Sequence, residues 1–206
     1  HQAIAEAWQT AQTEAAQVKP RIPFADWLPI VSPEFNWQWD YIQLVRAQLD
    51  RITSGEIRKL MIAMPPRHGK SQLATIRYPV YRLEYDPEFR VIIGAYNQTL
   101  ANKFSRRARR IAESRLRMSD ERLAVEDWDT AQGGGMRAVG VGGGIVGQGG
   151  SLIILDDPVK NREEAESQTY RDRVWDWYSN DIYTRQEPNC AFIVIMTRWH
   201  KDDLAG

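Results

Sequence analysis

Four short, nearly continuous apolar runs constrain the fold of this chain more than any other feature: LMIAM (60–64), VIIGAY (91–96), LIILDD (152–157) and AFIVIMT (191–197). Each is rich in strand-forming residues and lacks the polar alternation of a strand with one face in water. Strands of that kind belong to parallel sheets covered by helices on both faces. Helical segments are expected between them at about 70–84, 98–117 and 162–181. Alternating strand and helix points to an α/β fold with a mainly parallel central sheet. Pro79 falls inside the first of those helices and predicts a kink or an early stop there.

Upstream the texture differs. The first 18 residues are rich in Ala, Gln and Glu and compatible with helix. Pro20, Pro23, Pro29 and Pro33 make residues 20–36 read as an extended connector. A helix is expected at about 37–54, with Ile42, Val45 and Leu49 on one face and Gly55 closing it. Residues 1–55 are therefore expected to form an N-terminal arm and lead-in helix, and residues 56–206 the core. A chain of 206 residues fits one domain with such an arm, and its start at His1 fits a piece of something longer. Ten of the 14 glycines lie between Gly133 and Gly150. Composition favours a mobile hairpin or linker there; the sharper alternative is a backbone that approaches a ligand or a neighbouring subunit closely.

Charge and cysteine content limit the function classes. Lys+Arg and Asp+Glu both count 27, so no global positive charge advertises nucleic acid, and any such site must be local. No run approaches the roughly 18 apolar residues of a membrane span, and the N-terminus has no signal-peptide pattern. The single Cys190 cannot form an internal disulfide, which fits a reducing compartment.

After the first apolar run comes Met64-Pro65-Pro66-Arg67-His68-Gly69-Lys70-Ser71. A strand entering a turn, then Gly-Lys-Ser at a helix start, is the back half of a phosphate-binding P-loop. The expected nucleotide cradle is Pro66, Arg67, His68, Gly69, Lys70 and Ser71. Gly69 lets the backbone curl so that successive N–H groups point at phosphate oxygens. Lys70 brings a positive charge to the β and γ phosphates of ATP, and the Ser71 hydroxyl ligates Mg²⁺. Arg67 is a further cation that could reach the transferring phosphoryl group from within the same chain, while His68 is read as a turn residue. The full motif wants glycine where Met64 stands. A surface turn capped by Ser71 is the plainer alternative, and the strand before and helix after argue against it.

A P-loop needs a carboxylate at the end of an adjacent apolar strand, and Leu152–Asp157 provides one. Asp156 would orient the metal or its waters, and Asp157 would polarise the attacking water as general base. The interval from Lys70 to Asp156 suits a RecA-like motor ATPase, with a strand inserted between the two nucleotide-binding strands. Thr197, at the end of the last apolar run, is the candidate to sit beside the γ phosphate.

Residues 101–117 hold Lys103, Arg106, Arg107, Arg109, Arg110, Arg115 and Arg117 against one acid, Glu113. At helical spacing Lys103, Arg106, Arg107, Arg109 and Arg110 share one side, and Leu100, Phe104, Ala108 and Ile111 another. The basic side suits contact with a phosphate backbone, which is blind to sequence and sensitive to salt; a solvated or subunit-contacting face is the alternative. Trp37, Trp39 and Tyr41 precede the P-loop strand, where one of them could stack on or flank adenine; core packing is the commoner fate of an aromatic. Trp175, Trp177 and Tyr178 are expected to be buried or at an interface.

PPRHGKS, GGGIVGQGGSLIILDDPVKN and TRWHKDDLAG, in that order, resemble the ATPase domain of the large terminase subunit of tailed bacteriophages. The resemblance covers about residues 35–206, and TRWH followed by DDLAG is its most specific part. It implies a RecA-like P-loop NTPase that hydrolyses ATP to drive duplex DNA into a procapsid. Such motors work as a homo-oligomeric ring on the portal, with a small terminase subunit, in the cytoplasm of the infected host. Carried over by position, Lys70 and Ser71 bind nucleotide and Mg²⁺, and Arg67 is the P-loop arginine. Asp156 and Asp157 become the Walker B acid and the catalytic carboxylate, Thr197 begins the coupling motif, and positions near Trp39 surround the adenine. A nuclease domain normally follows; its carboxylates are expected beyond Gly206, so no DNA cleavage is expected of this chain. Gln148 stands where the family often has an arginine acting between subunits, and Arg137 or Arg185 are the candidate substitutes. The competing readings are half of a nucleic-acid helicase and a non-catalytic DNA-binding or assembly module with a decayed nucleotide pocket. A small-molecule kinase fits less well, because no arginine-rich lid follows the carboxylate strand.

Overall fold

The computed structural model describes residues 21–145 and 147–206, and the helix expected over the first 18 residues lies outside them. A seven-stranded sheet forms its centre. The strands are β1 (Lys59–Ala63), β2 (Arg90–Ala95), β3 (Met118–Leu123), β4 (Asp127–Thr130), β5 (Gly135–Gly140), β6 (Gly150–Asp156) and β7 (Gln186–Met196). Their spatial order is β1-β7-β6-β2-β5-β4-β3. Pairings from β1 through β5 are parallel, and β4 joins β5 and β3 antiparallel. The four apolar runs are β1, β2, β6 and β7. As expected for a RecA-like order, one strand, β7, is inserted between the P-loop strand β1 and the carboxylate strand β6.

The helices are α1 (Phe24–Val31), α2 (Asp40–Ser54), α3 (Tyr78–Tyr85), α4 (Gln98–Glu113), α5 (Arg162–Glu166) and α6 (Gln168–Trp177). Among the described residues, no helix is long and apolar enough to cross a membrane. Strand periodicity divides the core between two faces. Val91, Ile93, Leu152 and Ile154 pack with residues of α1 to α4, whereas Ile92, Ile153 and Leu155 pack with Ala165, Val174 and Trp177 of α5 and α6. Both faces of β2 and β6 are thus covered, which is why their sequences show no polar alternation.

The structure corrects several expectations. Residues 24–31 form α1 rather than an extended connector. Phe24, Trp27 and Leu28 bury one face of it, and the Trp27 indole donates to Glu84 at 2.7 Å. The aromatic packing of Phe24 against Tyr81, 4.8 Å between ring centroids, outweighs the one helical hydrogen bond that Pro29 removes. Pro79 does not stop its helix. Wide π turns over Gln72–Arg77 run straight into α3, with Pro79 in its first turn, where a missing N–H costs little. The basic helix ends at Glu113, and β3 takes over from Met118. The segment expected as one helix at 162–181 breaks at Ser167, whose side chain caps α6 by accepting from the Tyr170 N–H.

The glycine-rich run is not a linker either: it contains β5, a central strand. A Cβ on Gly134 would lie 2.3 Å from the Pro87 carbonyl oxygen, and one on Gly140 would lie 2.4 Å from the Gln98 backbone nitrogen. Glycine is required there because backbone meets backbone, and the neighbours are the chain's own segments rather than the ligand or second subunit that the sharper alternative expected.

Candidate functional site

Register aligns the three strands that build the site. Ala63 lies opposite Met196, and Ile195 opposite Asp156, so β1, β7 and β6 end together. The turns that follow converge at that edge. Gly69 takes the left-handed conformation (φ 79°), and so do Arg67 (φ 65°) and Asp157 (φ 47°). Left-handed backbone at two non-glycine residues costs about 1 kcal/mol or more each and concentrates at functional sites.

Lys70 is 5% exposed. Its ammonium lies 3.3 Å from Asp157 Oδ2 and donates to Thr197 Oγ1 at 3.1 Å and to the Met64 carbonyl at 3.4 Å. Asp157 Oδ1 accepts from the Thr197 N–H at 3.1 Å. Lys70, Asp157 and Thr197 therefore form one hydrogen-bonded cluster. A buried ammonium needs such a counter-charge, because desolvation of an unpaired one costs several kcal/mol.

Asp156 is 0% exposed. Its Oδ2 accepts from the Thr75 hydroxyl at 2.5 Å, while Oδ1 has no hydrogen-bond partner among the described residues. Burial pushes its carboxyl up to about 7; the Thr75 hydroxyl pulls it back, the neighbouring Asp157 adds to the rise, and Ser71 and Lys70 oppose it. A buried, half-satisfied carboxylate beside a serine hydroxyl suits a divalent cation, whose charge would offset the desolvation. Asp156 and Ser71 are the residues placed to hold one. Thr75 was not singled out from the sequence, where a threonine in a helix carries no signal. The π turns put it over the end of β6.

Beside the P-loop lies a cavity of about 330 Å³. Its walls are the segment entering α2, with Phe35, Trp37, Trp39 and Tyr41, and the turn residues Arg67, His68, Gly69 and Gln72. Trp39 is 52% exposed, while Trp37 is buried, so of the three upstream aromatics Trp39 is the one with a free face. Tyr41 sits between Trp39 and His68, with ring centroids at 5.3 and 5.5 Å. The His68 ring bonds the Pro66 carbonyl at 2.8 Å and acts as a brace within the turn.

The basic helix α4 is capped by Asn97, whose side chain accepts from the Leu100 N–H, and it packs through Ala101, Phe104, Ala108 and Ala112. Lys103, Arg106, Arg107 and Arg110 are exposed. Arg109 differs: it pairs with Glu113 at 3.2 Å and donates to the Leu123 carbonyl, so it is tied into the fold. Trp177 is buried and Trp175 exposed. A second cleft, also of about 330 Å³, lies at the opposite end of the strands and contains Gln148. Its charges neutralise one another, with Arg137 2.5 Å and Arg122 3.7 Å from Asp127. Arg185, also at the start of a strand, donates to the Asp181 carbonyl. Neither Arg137 nor Arg185 lies at the Lys70 edge of its own chain.

Comparison with curated proteins gives no match. Among solved structures, the fold is similar to that of the large terminase of bacteriophage HK97, with a TM-score of 0.50 and 15% identity. That match covers 72% of this chain and 31% of the HK97 chain, so this chain spans only part of the length of that protein. A family model described as terminase large subunit, T4likevirus-type, N-terminal, matches residues 61–205, from the P-loop strand through the turn after Thr197. The chain belongs to the family of terminase large subunits, as its N-terminal region.

Proposed function

We propose that this chain is an ATP-hydrolysing motor domain that drives double-stranded viral DNA into a procapsid. The observation that carries the reading is the meeting of Lys70, Asp157 and Thr197 within 3.3 Å at one sheet edge, next to buried Asp156. ATP and water give ADP and phosphate. Lys70 binds the β and γ phosphate oxygens, and Arg67, in the same turn, reaches the γ phosphoryl group. As phosphate oxygens take over the ammonium, Asp157 is released to accept a proton from the attacking water. Asp156 and Ser71 would hold Mg²⁺, which when bound supplies positive charge to the phosphate oxygens. Thr197, joined to both Lys70 and Asp157, reports loss of the γ phosphate to the chain that follows.

Trp39 stacks on the base, so in this reading the segment entering α2 and the first turn of α2, expected as part of an arm, serve as one wall of the nucleotide site. Pro66, His68 and Gly69 shape the turn around the phosphates. The exposed cations of α4, Lys103, Arg106, Arg107 and Arg110, contact the DNA backbone, with Arg109 holding the helix to β3. Membership of the terminase family supports duplex DNA, the portal and the small subunit as partners, a ring as the active assembly and the host cytoplasm as its place. Phosphate release from ATP tests the reaction: the native chain is expected to turn over, and Lys70→Ala to lose about a hundredfold or more. Equal turnover by the two proteins would remove the assignment.

A further inference from the structure

We propose that Arg77 is the positioning residue of the base pocket: it locks the Ser32–Trp37 strap to the P-loop helix and turns Gln72 so that its amide N–H₂ meets the nucleotide base. This rests on the reading of the Trp39-containing cavity as the base site. Arg77 is 4% exposed, and its hydrogen bonds go to Ser32, Glu34 and Gln72 rather than to residues 66–71. Its Nε donates to Ser32 Oγ at 2.8 Å, and Nη2 lies 3.4 Å from Glu34 Oε1. Nη1 donates to the Gln72 carbonyl at 3.1 Å and to Gln72 Oε1 at 2.8 Å. The guanidinium also sits over the rings of Phe35 and Trp37, at 4.3 and 5.0 Å.

Phe35 and Trp37 belong to one wall of the cavity and Gln72 to the other, so a single buried fork holds both. A lysine retains the charge but cannot reproduce several planar donations and two ring contacts at once. The bond from Arg77 also decides which end of the Gln72 amide is free. With Oε1 engaged, Gln72 offers its two N–H donors, which suit an acceptor on a heterocyclic base such as a ring nitrogen. Arg77 therefore acts on the base end of the ligand and not on the triphosphate end.

Binding of Mg–ATP and of Mg–tripolyphosphate, which has no base, separates the two ends. For Arg77→Lys and Gln72→Ala we expect ATP affinity to fall and KM to rise by about tenfold, with tripolyphosphate affinity and kcat changed by less than about twofold. Gln72→Ala removes only a half-exposed side chain, so the comparison stands even where Arg77→Lys lowers the folded fraction. Parallel loss of ATP and tripolyphosphate binding overturns the proposal. So does unchanged ATP affinity in either variant while Trp39→Ala weakens ATP. ATP affinity that is also insensitive to Trp39→Ala overturns the base-site reading itself.

Discussion

Replacing Asp156 with asparagine, in buffer free of metal and nucleotide, removes a charge that folding drives into the core. The carboxyl is fully buried, and burial lifts it from an ordinary 3.8 to about 7. Between those values the folded chain holds a proton that the unfolded chain has released. Its stability therefore falls as pH rises through that window and levels off above it. Asparagine does not titrate. From about pH 5 to about pH 7 the slope approaches 1.4 kcal/mol per pH unit and halves at the upper end, where the folded carboxyl is half ionised, so the native chain loses about 2 kcal/mol relative to the variant. At this chain length that is about 4–8 °C in the gap between the two Tm values. Thermal unfolding followed by circular dichroism in EDTA, at both pH values, reads the gap directly. A fixed cost of the substitution, such as an asparagine N–H without an acceptor, is present at both ends and cancels. A Tm gap that stays constant with pH would refute the reasoning, because it would mean that the folded carboxylate is already as well solvated as the unfolded one.

Other consequences are as specific. Gly140→Ala places a methyl 2.4 Å from the Gln98 nitrogen and is expected to destabilise the fold; urea unfolding should show a loss of about 3 kcal/mol, against about 0.5 kcal/mol or less for the open position Gly144→Ala. Asp157→Asn keeps the backbone shape at a left-handed position but cannot accept a proton, so phosphate release should fall by about a hundredfold or more while ATP still binds in a filter assay. Alanine at Lys103, Arg106, Arg107 and Arg110 together should weaken duplex binding without regard to sequence and flatten its dependence on log salt by about one per lost phosphate contact.

The sheet was legible where local and tertiary signals agreed. In β2 and β6 continuous apolar character reports burial on both faces, and the P-loop turn and Asp156-Asp157 could be placed at strand ends before any geometry was known. β5 was hidden because its glycines serve a packing need, contact with the backbone at Pro87 and Gln98, that composition cannot distinguish from a linker. α1 was hidden by its prolines, since the energy that forms it comes from Phe24, Trp27 and Tyr81 meeting across the chain. Thr75 and Arg77 were missed for a related reason. Their roles depend on the π turns of Gln72–Arg77, which aim Thr75 at Asp156 and Arg77 at the Ser32–Trp37 strap. Arg109 looked like its neighbours on the basic face until the β3 carbonyl that holds it was in place.

Equilibrium titration of ATP, with and without Mg²⁺, into the native chain, Lys70→Ala and Asp156→Asn addresses the shared phosphate and metal site most directly. Native protein should bind ATP about tenfold or more tightly with Mg²⁺, Asp156→Asn should lose that enhancement, and Lys70→Ala should lose most binding in both conditions. Indistinguishable curves for the three proteins would contradict a nucleotide lodged between Lys70 and the Asp156-Asp157 pair.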